Sequence, residues 1–445
     1  MRVGFCNKAH LQPKGDPRLS RRSLFVQAAL GLAAAMEAAR AETEPLIGAL
    51  RESQRKGGPV QLPAGVTRLQ SLELSSGARL LGAPQGSTLR LIGSGPLLYA
   101  KGARDIAIES VSFEGSGALA RSRGLLEFED VANLSIRGCA FRQSEANGVR
   151  LLRCGGVLAQ NRIESVREAA IFSLDGLGFD IDGNTILHCG DNGVLIWTSS
   201  QGAYEGSRVR NNRIEDIGNL SGGDGPNGNG VGVFRAGSVR VENNRIRRCA
   251  YTAVRNNAGS DVEVIGNDCK TLGERAMYAE FGAKCAIFRD NRIEDAGAGI
   301  SITNARDGTD GGAATGNTIV GLFERHPDPA FGPRMFWRTG IAGERNCEIS
   351  GNTIVGPAWI GVMLAGPRDN VSVEGNRIVG AEFGIGFLAG RNLGESRILR
   401  NRIEGARSAA IAAFEGPAPL PGDILSPAAV ARSVPGMKIE GNESS

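Results

Sequence analysis

The chain has 445 residues, with 51 Lys and Arg against 47 Asp and Glu and 64 glycines, about double the usual glycine share. Three histidines, and eight cysteines without a CxxC pair, argue against an imidazole metal centre and against a disulfide framework. The net charge of +4 comes entirely from the first 41 residues, so it makes no case for nucleic acid or an anionic membrane surface.

Residues 1–41 read as an export segment. Ser20-Arg21-Arg22-Ser23-Leu24-Phe25 leads into the apolar run Phe25 to Met36, and Ala39-Arg40-Ala41 places small residues around a cut after Ala41. Seven Lys and Arg against two acids lie in this stretch, which leaves the remainder near −1. The apolar run is too short for a permanent span, and no later segment approaches one. The paired arginines ahead of a weakly hydrophobic core resemble a twin-arginine signal, which implies the twin-arginine translocase as an export partner and a periplasmic or secreted destination.

Leu46 to Gln54 suits a short helix, placed to cover the open edge of a first coil. Gly57-Gly58-Pro59-Val60-Gln61-Leu62-Pro63-Ala64-Gly65 then turns into strand, and less regular coils follow up to residue 140. From Phe141 to 415 a repeat takes over. Asn161, Asn184, Asn212, Asn244, Asn267, Asn291, Asn317, Asn352, Asn376 and Asn401 are each followed two residues later by an apolar residue, and the shortest gaps define a unit of 23 residues. Apolar residues five and three before the Asn alternate with period two, as in Val239 and Val241, so that stretch is a strand. The Ile after the Asn opens a second strand, and a Gly-led third follows, as in Gly193-Val194-Leu195-Ile196 and Gly299-Ile300-Ser301-Ile302.

Three short strands per turn, wound one way, make a parallel β-helix whose inward residues stack in columns. The Asn is expected in the tight turn between the second and third strands, where it tolerates left-handed backbone and can bond the Asn of the next coil. Cys189, Cys249 and Cys269 occupy apolar repeat positions and read as small buried hydrophobes. Residues 416–445 hold five prolines in Gly416 to Pro435, which forbids a ladder strand there, and a partial repeat at Met437 to Asn442. The reading is one all-β domain over residues 42–442, with a short N-terminal capping helix.

A solenoid core is filled by its own side chains, so a ligand binds outside, between insertions. Extra residues follow the third strand at 199–207 and 304–312 and precede it at 218–229 and 323–338. All four border the outer face of that strand. With Val194, Val254, Met277, Ile300 and Ile341 inward, alternation turns Trp197, Phe234, Arg255, Asn257, Tyr278, Glu280, Ser301, Thr303 and Glu344 outward. Aromatic rings beside Arg, Asn and Glu suit a sugar polymer, offering apolar faces for pyranose rings and charged groups for carboxylates. Each residue alone also fits a loop cap or a surface ion pair. Gly222 to Gly230, with Asp224, and Asp307 to Gly312 put oxygen ligands on glycine-supported turns, a candidate calcium site that lacks the twelve-residue loop and its closing Glu. His326, in the fourth insertion, falls near the cleft and is a further candidate for substrate binding or catalysis, although a lone loop histidine more often faces solvent.

The coil pattern from Gly57 to Asn442 resembles the pectin-lyase-like right-handed β-helix superfamily, and the twin-arginine signal joined to these repeats looks like a bacterial family of twin-arginine-translocated repeat proteins of uncharacterised activity. The resemblance implies a polysaccharide-facing groove but no reaction. Motifs that would fix one are missing: Asp-Asp with Gly-His-Gly, Asp-Pro-His-Glu and Arg-x-Pro-x-x-Arg are all absent. An acidic polysaccharide would be cleaved or epimerised with Arg255 or Tyr278 as base and Asn257 or a metal steadying the enolate. A hydrolase would use Glu280 and Asp224, roughly 6.5 to 9.5 Å apart for inversion. The alternatives are a non-catalytic glycan-binding or envelope-structural protein, and a carrier of a prosthetic group.

Overall fold

The computed structural model describes residue 37 and residues 43–445, apart from 54, 57, 116–118, 224, 324–337, 357, 367–369, 390–394 and 426–436. Arg21, Arg22 and Ala41 of the export segment lie outside the described residues, as do Asp224 and His326. A helix at 43–53 buries Leu46 and Leu50 in the same apolar cluster as Val60 and Leu62. It covers the first coil, as expected.

From Val60 onward the chain winds through three parallel ladders. The first holds 15 strands, from Val60–Gln61 to Lys438–Glu440. The second starts at Gly65–Leu69 and the third at Leu72–Glu73. Asp268–Glu280 and Arg292–Ile302 each run unbroken through both of these, joining them into one sheet of 28 strands. Only the short pair Phe414↔Pro419 is antiparallel among the described pairings, at the start of the proline-rich tail. Lys438–Glu440 rejoins the first ladder, so the partial repeat completes one more rung.

The core is built of columns. Ile163, Ile186, Ile214, Ile246, Cys269, Ile293 and Ile319 lie in register along the second ladder, all without solvent exposure. Val166, Cys189, Ile217, Cys249 and Leu272 form the neighbouring column, so these cysteines are core residues; among the described cysteines Cys285 is the exposed exception. Parallel pairing demands this apolar continuity, because each inward side chain packs against the coils above and below it and against the inward side chains of the other two ladders.

The asparagines stack as a second kind of column. Asn184 donates its backbone N–H and its Nδ2 to Asn212 Oδ1, at 2.8 and 2.9 Å, and Nδ2 also reaches Leu158 O at 2.9 Å. The same pattern repeats from Asn161 to Asn442. Two details differ from expectation. The Asn lies between the first and second of the three strands, as Arg240–Glu242, Asn244 and Arg245–Cys249 show. The left-handed backbone belongs to the residue before it: Gln160, Gly183, Asn211, Asn243 and Gly266 have φ of 57°, 65°, 56°, 54° and 65°. The Asn itself is held for its amide. Ladders are also continuous before residue 141. Val111 and Cys139 occupy the Asn register there, so those coils lack the marker residue but not the fold.

Candidate functional site

Alternation along the third strand holds as read. Val194, Val254, Met277, Ile300 and Ile341 are fully buried inward, and the intervening residues turn out. One outward row runs Arg150, Phe172, Leu195, Gly232, Arg255, Tyr278, Ser301. Beside it runs Leu152, Leu174, Trp197, Phe234, Asn257, Glu280.

Gly232 interrupts the first row with no side chain, and the surface dips there. The result is a recess of about 290 Å³ whose lining includes Trp197, Phe234, Arg255, Asn257, Pro226 and Phe281. The Trp197 ring lies 5.3 Å from Phe172, edge-on at 82°, and 5.3 Å from Phe234 at 56°. Stacking on successive coils thus makes an aromatic strip that leads into the dip. Three described insertions frame this face. Gly225 and Pro226 close one side, in a segment tied down by Ser221 Oγ donating to Asp191 at 2.7 Å and Asn192 Nδ2 donating to Pro226 O at 3.3 Å. On the other edge, Gln201 Nε2 donates to Gly282 O at 3.4 Å and Gly282 N–H donates to Thr309 Oγ1 at 3.2 Å, which brings the 199–207 and 304–312 segments together. Large hydrophobics left in solvent sit on these rims: Tyr204 is 80% exposed, Leu220 59% and Phe281 46%.

Arg255 forms the polar end. Its Nε donates to Glu280 Oε1 at 2.6 Å and its Nη1 to Glu274 Oε2 at 3.2 Å. Asn257 Nδ2 also donates to Glu280, at 3.2 Å. Burial holds the Glu280 carboxyl above its ordinary range, although Arg255 pulls the other way. Arg275 continues the network, bonding Glu274 Oε1 at 2.9 Å and Ser301 Oγ at 3.1 Å. The Tyr278 ring lies 5.2 Å from the Arg255 guanidinium and 4.7 Å from that of Arg275, its hydroxyl donates to Asn304 Oδ1 at 2.8 Å, and burial pushes its pKa up.

Not every outward residue is open. Glu280 is 1% exposed, Ser301 3%, Tyr278 7% and Arg255 8%. Trp197, Phe234, Arg255 and Asn257 meet in the recess; Tyr278 and Glu280 stand behind Arg255 and do not line it. Ser301, Thr303 and Glu344 lie on later coils, where Glu344 Oε2 accepts the Ala305 N–H at 2.5 Å. The acidic turn of the third insertion is engaged by separate asparagines: Asp310 accepts from Asn346 at 2.7 Å and Asp307 from Asn304 at 3.5 Å.

Sequence reading missed Glu274 and Arg275, because the register shifts between Leu272 and Arg275 and breaks the alternation used to place them. It also missed Phe172, which the same period-two count, carried one coil back, would have found.

Residues 97–225 match the family described as a right handed beta helix region. The chain is a right-handed parallel β-helix. Residues 218–413 of this β-helix match the family described as periplasmic copper-binding protein (NosD). No curated protein matches its sequence. Among solved structures it is similar to gene product 12 of bacteriophage phi29, with 15% identity, a TM-score of 0.51, and coverage of 89% of this chain and 54% of that one. The A-module of a mannuronan C-5 epimerase from Azotobacter vinelandii gives 14% identity and a TM-score of 0.46 over 89% and 93% of the two chains. A tailspike of E. coli bacteriophage HK620, solved with a pentasaccharide, gives 14% and 0.48 over 89% and 74%. At such identities the likeness is one of fold.

Proposed function

We propose that the β-helix binds an extended polysaccharide across the outer face of its third ladder, with sugar rings lying on Trp197 and Phe234. The observation that carries this is the recess at Gly232, where stacked aromatic surface ends at Arg255 and Asn257. Pyranoses present apolar C–H faces ringed by hydroxyls, which such a strip with a polar end complements. Among the described residues lining the recess, Arg255 is the single charged side chain, and two carboxylates already hold it. It is therefore a hydrogen-bonding wall rather than a free partner for a uronate, and binding stands ahead of catalysis.

A second reading draws on the same ion-pair cluster. Glu280 and Glu274 grip one guanidinium behind the edge of the recess, so cleavage or modification of the polymer by this carboxylate pair would first require Arg255 to swing aside. We also propose export by the twin-arginine route. Arg21, Arg22 and the apolar run behind them support it, and so does the match to a family described as periplasmic.

That family description raises copper as well. Among the described residues no group of three or more His, Cys, Asp or Glu side chains converges as a metal site. Burial pushes the Cys189 thiol up to about 12 and raises Cys249 and Cys269 too, which keeps them protonated and poor ligands. The described residues do not fit a copper centre.

The deciding experiment presents the chain from Glu42 to a panel of uronate and neutral polysaccharides, with and without calcium, following gel retardation, unsaturated products and reducing ends. Retardation without product supports binding, product formation moves the assignment to an enzyme, and neither with any polymer removes the reading. Replacing Arg21 and Arg22 by Lys should leave the precursor uncleaved in the cytoplasm.

A further inference from the structure

Four coils from Arg255, the same outward row carries a second arginine. Arg150 pairs in register with Phe172, which pairs with Leu195, then Gly232, then Arg255. Val149 and Leu151 on either side are fully buried, so Arg150 turns to the outer face, where it is half-buried. At ~4.8 Å per strand the two guanidinium-bearing positions stand about 19 Å apart, and the recess lies about 14 Å from Arg150.

The two arginines differ in what holds them. Arg255 is enclosed by Glu280 and Glu274. Arg150 has no ion pair or hydrogen bond to a described residue. The acid in register beneath it, Glu127, is turned away: its Oε1 accepts from Arg123 Nε at 2.8 Å and from the Gly124 N–H at 2.7 Å. Nearby arginines are also engaged, Arg153 with Asp130 at 2.6 Å and Arg167 with Glu145 at 3.7 Å. A half-buried guanidinium left unpaired has given up part of its hydration without a counter-ion, and an anion brought along the face restores one. Between Arg150 and the recess the floor is Phe172, Leu195 and Trp197, with no charge to interrupt a chain of rings.

We propose that Arg150 is an anion-reading subsite, and that the ligand is a glycan bearing carboxylate or sulfate groups, laid parallel to the solenoid axis with one anionic group on Arg150 while a sugar further along fills the recess. This inference rests on the polysaccharide reading. It also moves the recognition of acidity from Arg255 to a residue on the preceding coils, so the polymer is selected by spacing: an oligomer too short to reach from Gly232 to Arg150 gains nothing from its charge.

The test measures affinity of the wild type, Arg150→Gln, Arg150→Lys and Trp197→Ala for oligogalacturonates of two to eight residues, for their fully methyl-esterified forms, and for dextran sulfate. Arg150→Gln should weaken binding of the long acidic oligomers about tenfold, flatten its salt dependence, and leave the esterified and shortest oligomers unchanged. Arg150→Lys should restore part of the loss. A response to dextran sulfate but not galacturonate names sulfate as the anion; the reverse names carboxylate. If Arg150→Gln binds long acidic oligomers as the wild type does while Trp197→Ala does not, the subsite is overturned and the groove stands. If the wild type binds none of these glycans, both readings fall.

Discussion

Arg255 Nε and Glu280 Oε1 are 2.6 Å apart in a pair whose side chains are 9% and 1% exposed. Sequence suggested a surface ion pair at these positions; the structure has one nearly sealed from water. Removing one partner of such a pair strands the other without hydration, at a cost of about 3 kcal/mol. Glu280→Ala should lower the unfolding free energy, measured in urea by tryptophan fluorescence, by that order. The double change Arg255→Met, Glu280→Leu should recover most of it. A single replacement costing under about 0.5 kcal/mol would show that the pair is solvated.

Glu205 has no cation among the described residues. Fully buried, it accepts the Ser207 N–H at 2.8 Å and the Ser207 hydroxyl at 2.7 Å, and burial raises its pKa. An acid whose folded pKa lies above its unfolded one binds its proton more tightly when folded. Its contribution to stability is present below the ordinary glutamate value and is lost as pH climbs through the folded value. Glu205→Gln should therefore leave stability at pH 4 nearly unchanged and raise it at pH 8, cutting the pH dependence in between. Unfolding midpoints of the two proteins that fall in parallel over that range would contradict this.

Asn267 tests the amide column. It accepts from the Asn244 N–H and Nδ2, both at 2.9 Å, and donates to Asn291. Asn267→Ala strands two buried donors, at about 1–3 kcal/mol each. The local loss should appear as faster hydrogen exchange at the Asn244 amide, while coils beyond residue 400 keep their protection. Asn267→Asp should be worse at neutral pH than at pH 4, since no cation bonds that position.

Gly232 tests the recess. A Cβ there would come within 2.8 Å of Leu195 Cδ2, the mobile end of a side chain, so the backbone can accept a larger residue. Gly232→Leu should keep the fold, judged by an unfolding midpoint within about 1 kcal/mol of the wild type, and abolish polysaccharide retardation. Unchanged retardation would place the ligand elsewhere.

How much of this was legible varies with the range of the interaction that decides it. Columns such as Ile214, Ile246 and Cys269 follow from period and spacing, which are local, and so do the inward turns of Val254 and Met277. The asparagine row was visible because one residue type answers one hydrogen-bonding need per coil. Its exact geometry was off by one position, because an Asn in a turn usually signals left-handed backbone, and here a neighbour supplies it. The recess was not readable. It depends on which outward side chain is missing, at Gly232, and on how rings from two coils tilt against each other. The cover over Tyr278 and Glu280 was equally hidden, since Glu274 and Arg275 reach them only after a register shift.

From Asn161 to Asn401 each side-chain amide hands one proton, together with the residue's own backbone N–H, to the next Asn toward the C-terminal end, and its second proton to a carbonyl of the preceding coil. Aligned donors polarise one another, so the row behaves as a single oriented wire rather than as ten separate contacts. A rod of this kind has electrically unlike ends, and a rung grafted onto it in reversed order would find no partner.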